Sequence, residues 1–317
     1  MNFTIPSFLE STLHLHGKKE GFFAGSDSLT FDELHKEALG SAHVLKDLGV
    51  VKGDRVGVCM TKSINQVITI LGILYANAVF VPILPKLREP NVRHIIEDSG
   101  TQILITDHDR VKEVASYQDN VNIVIGDDEF DPAYPCMKYL SRHITNRVSF
   151  FSCIGNDNAA ILYSSGSTGR PKGIVISHRN LGDGARIVSG YLGTTSEDRI
   201  AGILSLNFDY GLNQLWQTIY KGATLYLHEL IFPNDLFSLL SNKRITALPV
   251  MPVILTNMFD SRFYSANEVH DYSELRYICS SGGSVSQRMI QQMNDTFPSS
   301  DIYQMYGLTE AFRSTFL

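Results

Sequence analysis

Apolar positions recur along this chain with two alternating periods, and the alternation predicts the elements of its fold. DRVGVCM, from Asp54, is a short apolar run and predicts a strand. Ser63 then stands as a helix N-cap, and Ile64, Val67, Ile68, Leu71, Leu74 and Tyr75 follow at three- and four-residue spacing, one face of a helix. VFVPIL predicts the next strand. The scheme repeats: Pro90 suits a first helical turn, Val92, Ile95 and Ile96 form an apolar face, and QILIT and VNIVI supply strands. Strands alternating with helices in this manner predict a largely parallel sheet.

From Gly126 to Asn158 the pattern lapses, with Asp127, Asp128, Asp131, Pro132 and Pro135 close together, a composition that predicts surface loop. A second alternating run begins after Asp198. RIAGILSL, ATLYLHE, ITALPVM, LRYICSSGG and DIYQMYG read as strands. GLNQLWQTIYKG, ending at Gly222, PNDLFSLLSNKR and SQRMIQQMNDTF read as helices. No repeat of fixed period is visible. The expected architecture is α/β, with two lobes of largely parallel sheet meeting at a cleft, lobes 51–180 and 181–317, the latter joined by 15–50.

Composition narrows the function classes. With 44% hydrophobic and 19% charged residues the chain has the balance of a globular protein, and its 317 residues allow two lobes. A net charge of -6 gives no diffuse basic field for nucleic acid or anionic membrane, so any polyanion must meet a local site. Cys59, Cys136, Cys153 and Cys279 lie far apart, which suits neither a zinc knuckle nor a dense disulfide framework and predicts a reducing cytoplasm. The start lacks a secretory pattern, and Val67 to Leu84, interrupted by Asn77 and Pro82, reads as a buried helix and strand rather than a membrane span. No membrane insertion and no nucleic-acid partner are expected.

The most informative segment is ILYSSGSTGRPKGIVI, residues 161–176, a glycine, serine and threonine loop between two apolar runs. Gly166, Gly169 and Gly173 permit positive φ and close backbone approach, so that successive N–H groups can line an anion nest. Ser164, Ser165, Ser167 and Thr168 add hydroxyls, and Lys172 adds a mobile positive charge. The P-loop pattern fails, because Pro171 precedes Lys172 and Gly173 follows it. A solvated hairpin loop is the competing structural reading.

YSSGSTGRPKG resembles, along its whole length, the phosphate-loop motif of the adenylate-forming superfamily of acyl-CoA synthetases, aryl-CoA ligases, luciferases and peptide-synthetase adenylation domains. SLTFDELHKEA, LGVVKGDRVGV and YANAVFVPI resemble further landmarks in the family's order. The resemblance covers nearly the entire chain and makes 1–317 an incomplete N-terminal adenylation domain.

QMYGLTE, residues 304–310, resembles the family's adenine and metal motif. The resemblance implies that Tyr306 stacks on adenine beside Gln304 and Gly307, that Thr309 approaches the α-phosphate and that Glu310 holds Mg²⁺, roles that suit an aromatic face, an amide and a carboxylate. A Thr-Glu helix cap is the structural alternative. Gly282, Gly283 and Ser284 resemble the loop bordering adenine and substrate, or form a strand-ending turn. NFDYGLNQL resembles the start of the acid pocket, with Asp209 where amino-acid-activating members hold the substrate ammonium, or as a helix N-cap; Gly211 replaces a hydroxyl residue often seen there. His178 reads as a capping or packing residue, since a carboxylate nucleophile needs no base at neutral pH.

The resemblance thus implies ATP-dependent activation of a small carboxylic acid to an acyl-adenylate, with Thr168, Lys172, Thr309 and Glu310 attending the phosphates. A thiol, of CoA or of phosphopantetheine on an acyl or peptidyl carrier protein, then takes the acyl group. The family's ribose aspartate, hinge and C-terminal lysine do not occur before Leu317, so weak or absent turnover with nucleotide binding is expected of this chain. The alternatives are an amino-acid-activating domain and, from another class, a non-catalytic nucleotide-binding module.

Overall fold

The computed structural model describes residues 3–119, 121–129, 131–143, 153–164, 170–232, 234–260 and 271–312. In chain order the elements are α1 (Ile5–His16), β1 (Glu20–Ala24), β2 (Asp27–Thr30), α2 (Phe31–Asp47), β3 (Arg55–Cys59), α3 (Ile64–Tyr75), β4 (Val79–Pro82), α4 (Glu89–Ser99), β5 (Ile103–Thr106), the short α5 (Val111–Val114), β6 (Asn122–Ile125) and α6 (Met137–His143). They continue with β7 (Asn158–Ser164), β8 (Lys172–Ser177), α7 (His178–Tyr191), β9 (Arg199–Gly202), α8 (Asp209–Lys221), β10 (Thr224–Leu227), α9 (Asn234–Asn242), β11 (Ala247–Val250), α10 (Pro252–Met258), β12 (Tyr277–Ser280), α11 (Gln287–Thr296) and β13 (Asp301–Gln304). The chain divides into two compact units, residues 1–19 with 29–183 and residues 20–28 with 184–317.

In the first unit six strands lie in the order β6-β5-β3-β4-β7-β8. All neighbours are parallel except the hairpin β7–β8. The predicted local signals operate here. Ser63 caps α3 by accepting the Gln66 N–H at 3.2 Å, and Pro90 sits in the first turn of α4. Val92, Ile95 and Ile96 of α4 pack with Val81 and Leu104 of the sheet and with Ile83 just beyond β4.

In the second unit seven strands lie in the order β13-β12-β11-β9-β10-β1-β2, and the pairings from β1 across to β13 are parallel. Taken from β10 to β13 the strands run second, first, third, fourth, fifth, and the first unit's β4, β3, β5 and β6 run second, first, third, fourth. Each sheet therefore has a switch point, between β9 and β11 and between β3 and β5, where an open α/β sheet presents loops at its strands' carboxyl ends.

Three expectations are corrected. The segment joined to the second unit is 20–28 rather than 15–50. There β1 pairs with β10, Phe22 opposite Leu225, whereas α2 belongs to the first unit and packs so closely on α3 that a Cβ at Gly72 would stand 2.5 Å from that of Ser41. The predicted loop from Gly126 to Asn158 contains helix α6. RIAGILSL is a strand only over β9, because the Ile203 N–H turns back to the Ala201 carbonyl at 2.9 Å.

Candidate active site

In the first unit the β7–β8 hairpin sets Ser164 directly opposite Lys172 at the base of the predicted phosphate loop. Ser165, Gly166, Ser167, Thr168 and Gly169 lie outside the described residues. Lys172 is exposed, and among the described residues it has no ion-pair partner. Gly173 corrects an expectation. It sits in the extended strand β8 rather than at positive φ, and its value is close approach: a Cβ there would stand 2.9 Å from Ile161 Cγ2 and 3.0 Å from Tyr163 Cζ.

In the second unit the register sets Val250, Ser280 and Gln304 side by side at the carboxyl ends of β11, β12 and β13. The loops beyond them hold predicted site residues. After β12, Gly282 takes φ 86°, a left-handed turn open to glycine, and Gly283 and Ser284 follow. After β13, the buried Met305 donates its N–H to the Ser280 carbonyl at 2.8 Å. This leaves Tyr306 59% exposed, an aromatic face available to a ligand. The Ser280 hydroxyl is buried at this edge without a hydrogen-bond partner among the described residues.

Thr309 and Glu310 open a 3-10 turn, Thr309–Ala311. Leu308 occupies its N-cap and no side chain caps it, so the helix-cap alternative for Thr309 is set aside. Glu310 is exposed and has no ion-pair partner among the described residues. The turn is anchored by Phe312, fully buried, whose carbonyl lies where a Cβ on Gly184 would come within 2.7 Å.

Asp209 begins α8, reached from the carboxyl end of β9. The N-cap is Phe208, without a side-chain bond, which removes the capping reading of Asp209; its Oδ1 accepts the Tyr210 N–H at 2.8 Å. Tyr210 donates its hydroxyl to the Cys279 carbonyl at 2.7 Å and thereby ties the start of α8 to β12. Gly211 is dictated by sterics, since a Cβ would lie 2.0 Å from the Ser205 carbonyl oxygen. The second unit thus sets Asp209 at the head of α8, Gln304 at the end of β13, and Gly282, Gly283, Ser284, Tyr306, Gly307, Thr309 and Glu310 in the segments that follow β12 and β13, at the carboxyl ends of its strands, where a doubly wound sheet presents its ligand-binding loops.

His178 is 1% exposed at the head of α7, its N–H bonded to the Asp157 carbonyl at 3.0 Å. Burial pushes its pKa down to about 4, against the pull of Asp157, so the ring is neutral and structural at neutral pH. Two features went unread in the sequence. His94 and Asp98 of α4 bond the hairpin. His108, Asp109 and Glu129 bring side-chain ligand atoms within 4.8 Å of one another at the surface, around the His108–Glu129 pair at 2.8 Å. A cavity of about 290 Å³ lined by Phe23, Tyr226, Leu227, His228 and Leu239 includes none of the candidate residues.

The profile of the family described as AMP-binding enzyme matches residues 9–316. Tyrocidine synthase 1 of Brevibacillus parabrevis is 27% identical over 285 residues, 89% of this chain and 24% of that protein. The N-terminal domain of FACL13 from Mycobacterium tuberculosis aligns with a TM-score of 0.86 at 23% identity, covering 98% of this chain and 77% of that one. The anthranilate CoA ligase AuaEII, solved with anthranoyl-AMP, aligns with a TM-score of 0.88 at 24% identity, covering 99% of this chain and 60% of that one. At these identities the structural likeness carries the fold. The chain spans about a quarter of the length of this curated relative. A family match over almost every residue, on two largely parallel sheets with the fold of the N-terminal domain of adenylate-forming enzymes, places the chain in the AMP-binding enzyme family of that superfamily.

Proposed function

We propose that this chain serves ATP-dependent activation of a carboxylic acid to its acyl-adenylate, for transfer to the thiol of CoA. The observation that carries the reading is the family's glycine-rich loop set on a hairpin whose base holds an exposed Lys172, without an ion-pair partner among the described residues. The substrate carboxylate attacks the α-phosphorus of ATP; a new oxygen–phosphorus bond forms, the bond to the β-phosphate's bridging oxygen breaks, and pyrophosphate departs. Lys172 and Thr168 attend the departing phosphates, Ser164, Ser165, Gly166, Ser167 and Gly169 line the loop, and Thr309 approaches the α-phosphate. Gln304, Tyr306, Gly307 and the turn Gly282, Gly283, Ser284 serve the adenine side. The residues present fit these groups: Lys172 and Glu310 offer charges not consumed by ion pairs among the described residues, and the buried Ser280 hydroxyl lacks a partner among them at the carboxyl edge of β12. Glu310 would hold Mg²⁺, which when bound neutralises phosphate charge. In the second half-reaction the thiol sulfur bonds to the acyl carbon, AMP leaves and the thiol proton passes to solvent.

Acid-dependent exchange of labelled pyrophosphate into ATP, across fatty, aromatic and amino acids, tests this reading. Exchange with one acid class, lost at least tenfold in Lys172→Ala, is expected. ATP binding without exchange for any acid fits both the weak turnover expected from the sequence and a non-catalytic nucleotide-binding module, and absence of both removes the reading.

A second reading, an amino-acid-activating domain that loads phosphopantetheine on a peptidyl carrier protein, is favoured by Asp209. This half-buried carboxylate begins α8 and is the group proposed to meet a substrate ammonium, and the similarity to tyrocidine synthase 1 supports the same reading. Preference for amine-bearing acids that vanishes in Asp209→Ala supports it; unchanged preference removes it. Cytoplasmic location is proposed on the four buried free cysteines. Among the described residues no helix is long and apolar enough to cross a membrane.

A further inference from the structure

We propose that helix α4 positions the phosphate-loop hairpin, acting through His94 and Asp98; this inference rests on the nucleotide-binding reading of that hairpin. His94 and Asp98 are four residues apart and so share a face of α4. Asp98 Oδ2 accepts the Tyr163 hydroxyl at 2.6 Å. His94 Nε2 donates to the Pro171 carbonyl at 2.9 Å. Tyr163 precedes Ser164 on β7 and Pro171 immediately precedes β8, which begins at Lys172, so the helix holds both arms of the hairpin one residue from the opposed pair at the loop's base.

The same helix is fixed from its other side. Val92, Ile95 and Ile96 are 5%, 1% and 3% exposed in the cluster with Val81, Ile83 and Leu104, so His94 and Asp98 reach the hairpin from a helix that the core immobilises. The hairpin is built to be reached. Gly173 leaves space for the Tyr163 ring, whose Cζ and hydroxyl would stand 3.0 and 3.1 Å from any Cβ at that position, and the His94 and Tyr163 rings meet edge-on at 6.4 Å. Burial and then the bond to Asp98 push the Tyr163 pKa upward, so the hydroxyl keeps its proton and remains a donor. A proline carbonyl only accepts, so His94 must carry a proton on Nε2, which both the imidazolium and one neutral tautomer provide.

Such anchoring matters most for a ligand gripped by several backbone groups at once. Affinity falls with the fraction of chains whose loop base is in place, and the loss is confined to the part of the ligand that the hairpin holds. His94 and Asp98 are thus positioning residues for the polyphosphate, with no role toward adenine.

The test measures dissociation constants of the full chain for ATP and for AMP by equilibrium titration, with melting temperature recorded for each variant. His94→Ala and Tyr163→Phe, the latter removing a single oxygen, are expected to weaken ATP by about 5- to 20-fold while AMP changes less than twofold. His94→Gln, which restores an amide donor, recovers most of the loss. Asp98→Ala combined with Tyr163→Phe costs no more than either alone, since both remove one bond. Equal weakening of ATP and AMP, or unchanged ATP affinity in both single variants, overturns the assignment and leaves the nucleotide-binding reading intact. A wild-type chain that binds neither nucleotide overturns both.

Discussion

Gly211 shows how narrowly the second unit constrains single positions. With a Cβ only 2.0 Å from the Ser205 carbonyl oxygen, alanine there forces the start of α8 away from its neighbour. Gly211→Ala is expected to cost about 1–3 kcal/mol, read from the shift of a urea midpoint. In the sequence the same residue reads as a departure from a hydroxyl-bearing pattern; the crowding that requires it comes from a backbone several positions earlier and is a property of the fold. His178 supports a second prediction. Its folded pKa lies near 4, below the ordinary histidine value, because burial opposes the charged form. The unfolded chain therefore binds the extra proton first: the histidine's contribution to stability is complete above about pH 6.5 and is lost as pH falls toward 4. Wild type should lose up to about 1.4 kcal/mol per pH unit more than His178→Gln within that window, measured by urea unfolding at stepped pH. The residues of QMYGLTE were legible because they are contiguous. His94 and Asp98 were not, because the partners that give them meaning lie 77 and 65 positions away.

At the scale of elements, end signals and apolar periods did most of the specifying. Thr30 and Glu33 form a reciprocal capping box at the head of α2, Thr30 N–H to Glu33 Oε2 at 2.8 Å and Glu33 N–H to Thr30 Oγ1 at 3.2 Å. Thr30→Ala should cost about 1 kcal/mol in thermal unfolding, and Thr30→Ser should recover most of it. Strands β3 to β6 were readable because each is a short apolar run between turn residues. Helix α6 was not, since the aspartates and prolines before it dominate any window that contains it. The end of α8 was readable for a different reason: Gly222 takes the left-handed conformation, φ 66°, that stops a helix.

For the molecule as a whole, the order of strands was beyond the sequence. Periodicity predicts that strands and helices alternate, but which strand lies beside which depends on long-range packing, and the two units reach the same second-first-third-fourth order without a visible repeat in sequence. The assignment of β1 is the clearest case, since the helices that flank it and β2 in sequence, α1 and α2, belong to the other unit. Phe22 is fully buried in β1 and pairs opposite Leu225. Phe22→Asp should destabilise the second unit, with hydrogen exchange in β10 accelerated far more than in β3 to β6. Equal acceleration in both sheets would show instead that the units unfold as one.

That strand also dictates an order of events during biosynthesis. Glu20 and Thr224, joined across β1 and β10, are 204 positions apart. At roughly 5–20 residues per second, a ribosome needs about 10–40 s to deliver the partner after the strand itself has been made. Residues 29–183 of the first unit leave the ribosome within that interval, while the nascent β1, with Phe22 and Phe23 in adjacent positions, has only β2 beside it and keeps the edge meant for β10 open, a natural client for chaperones.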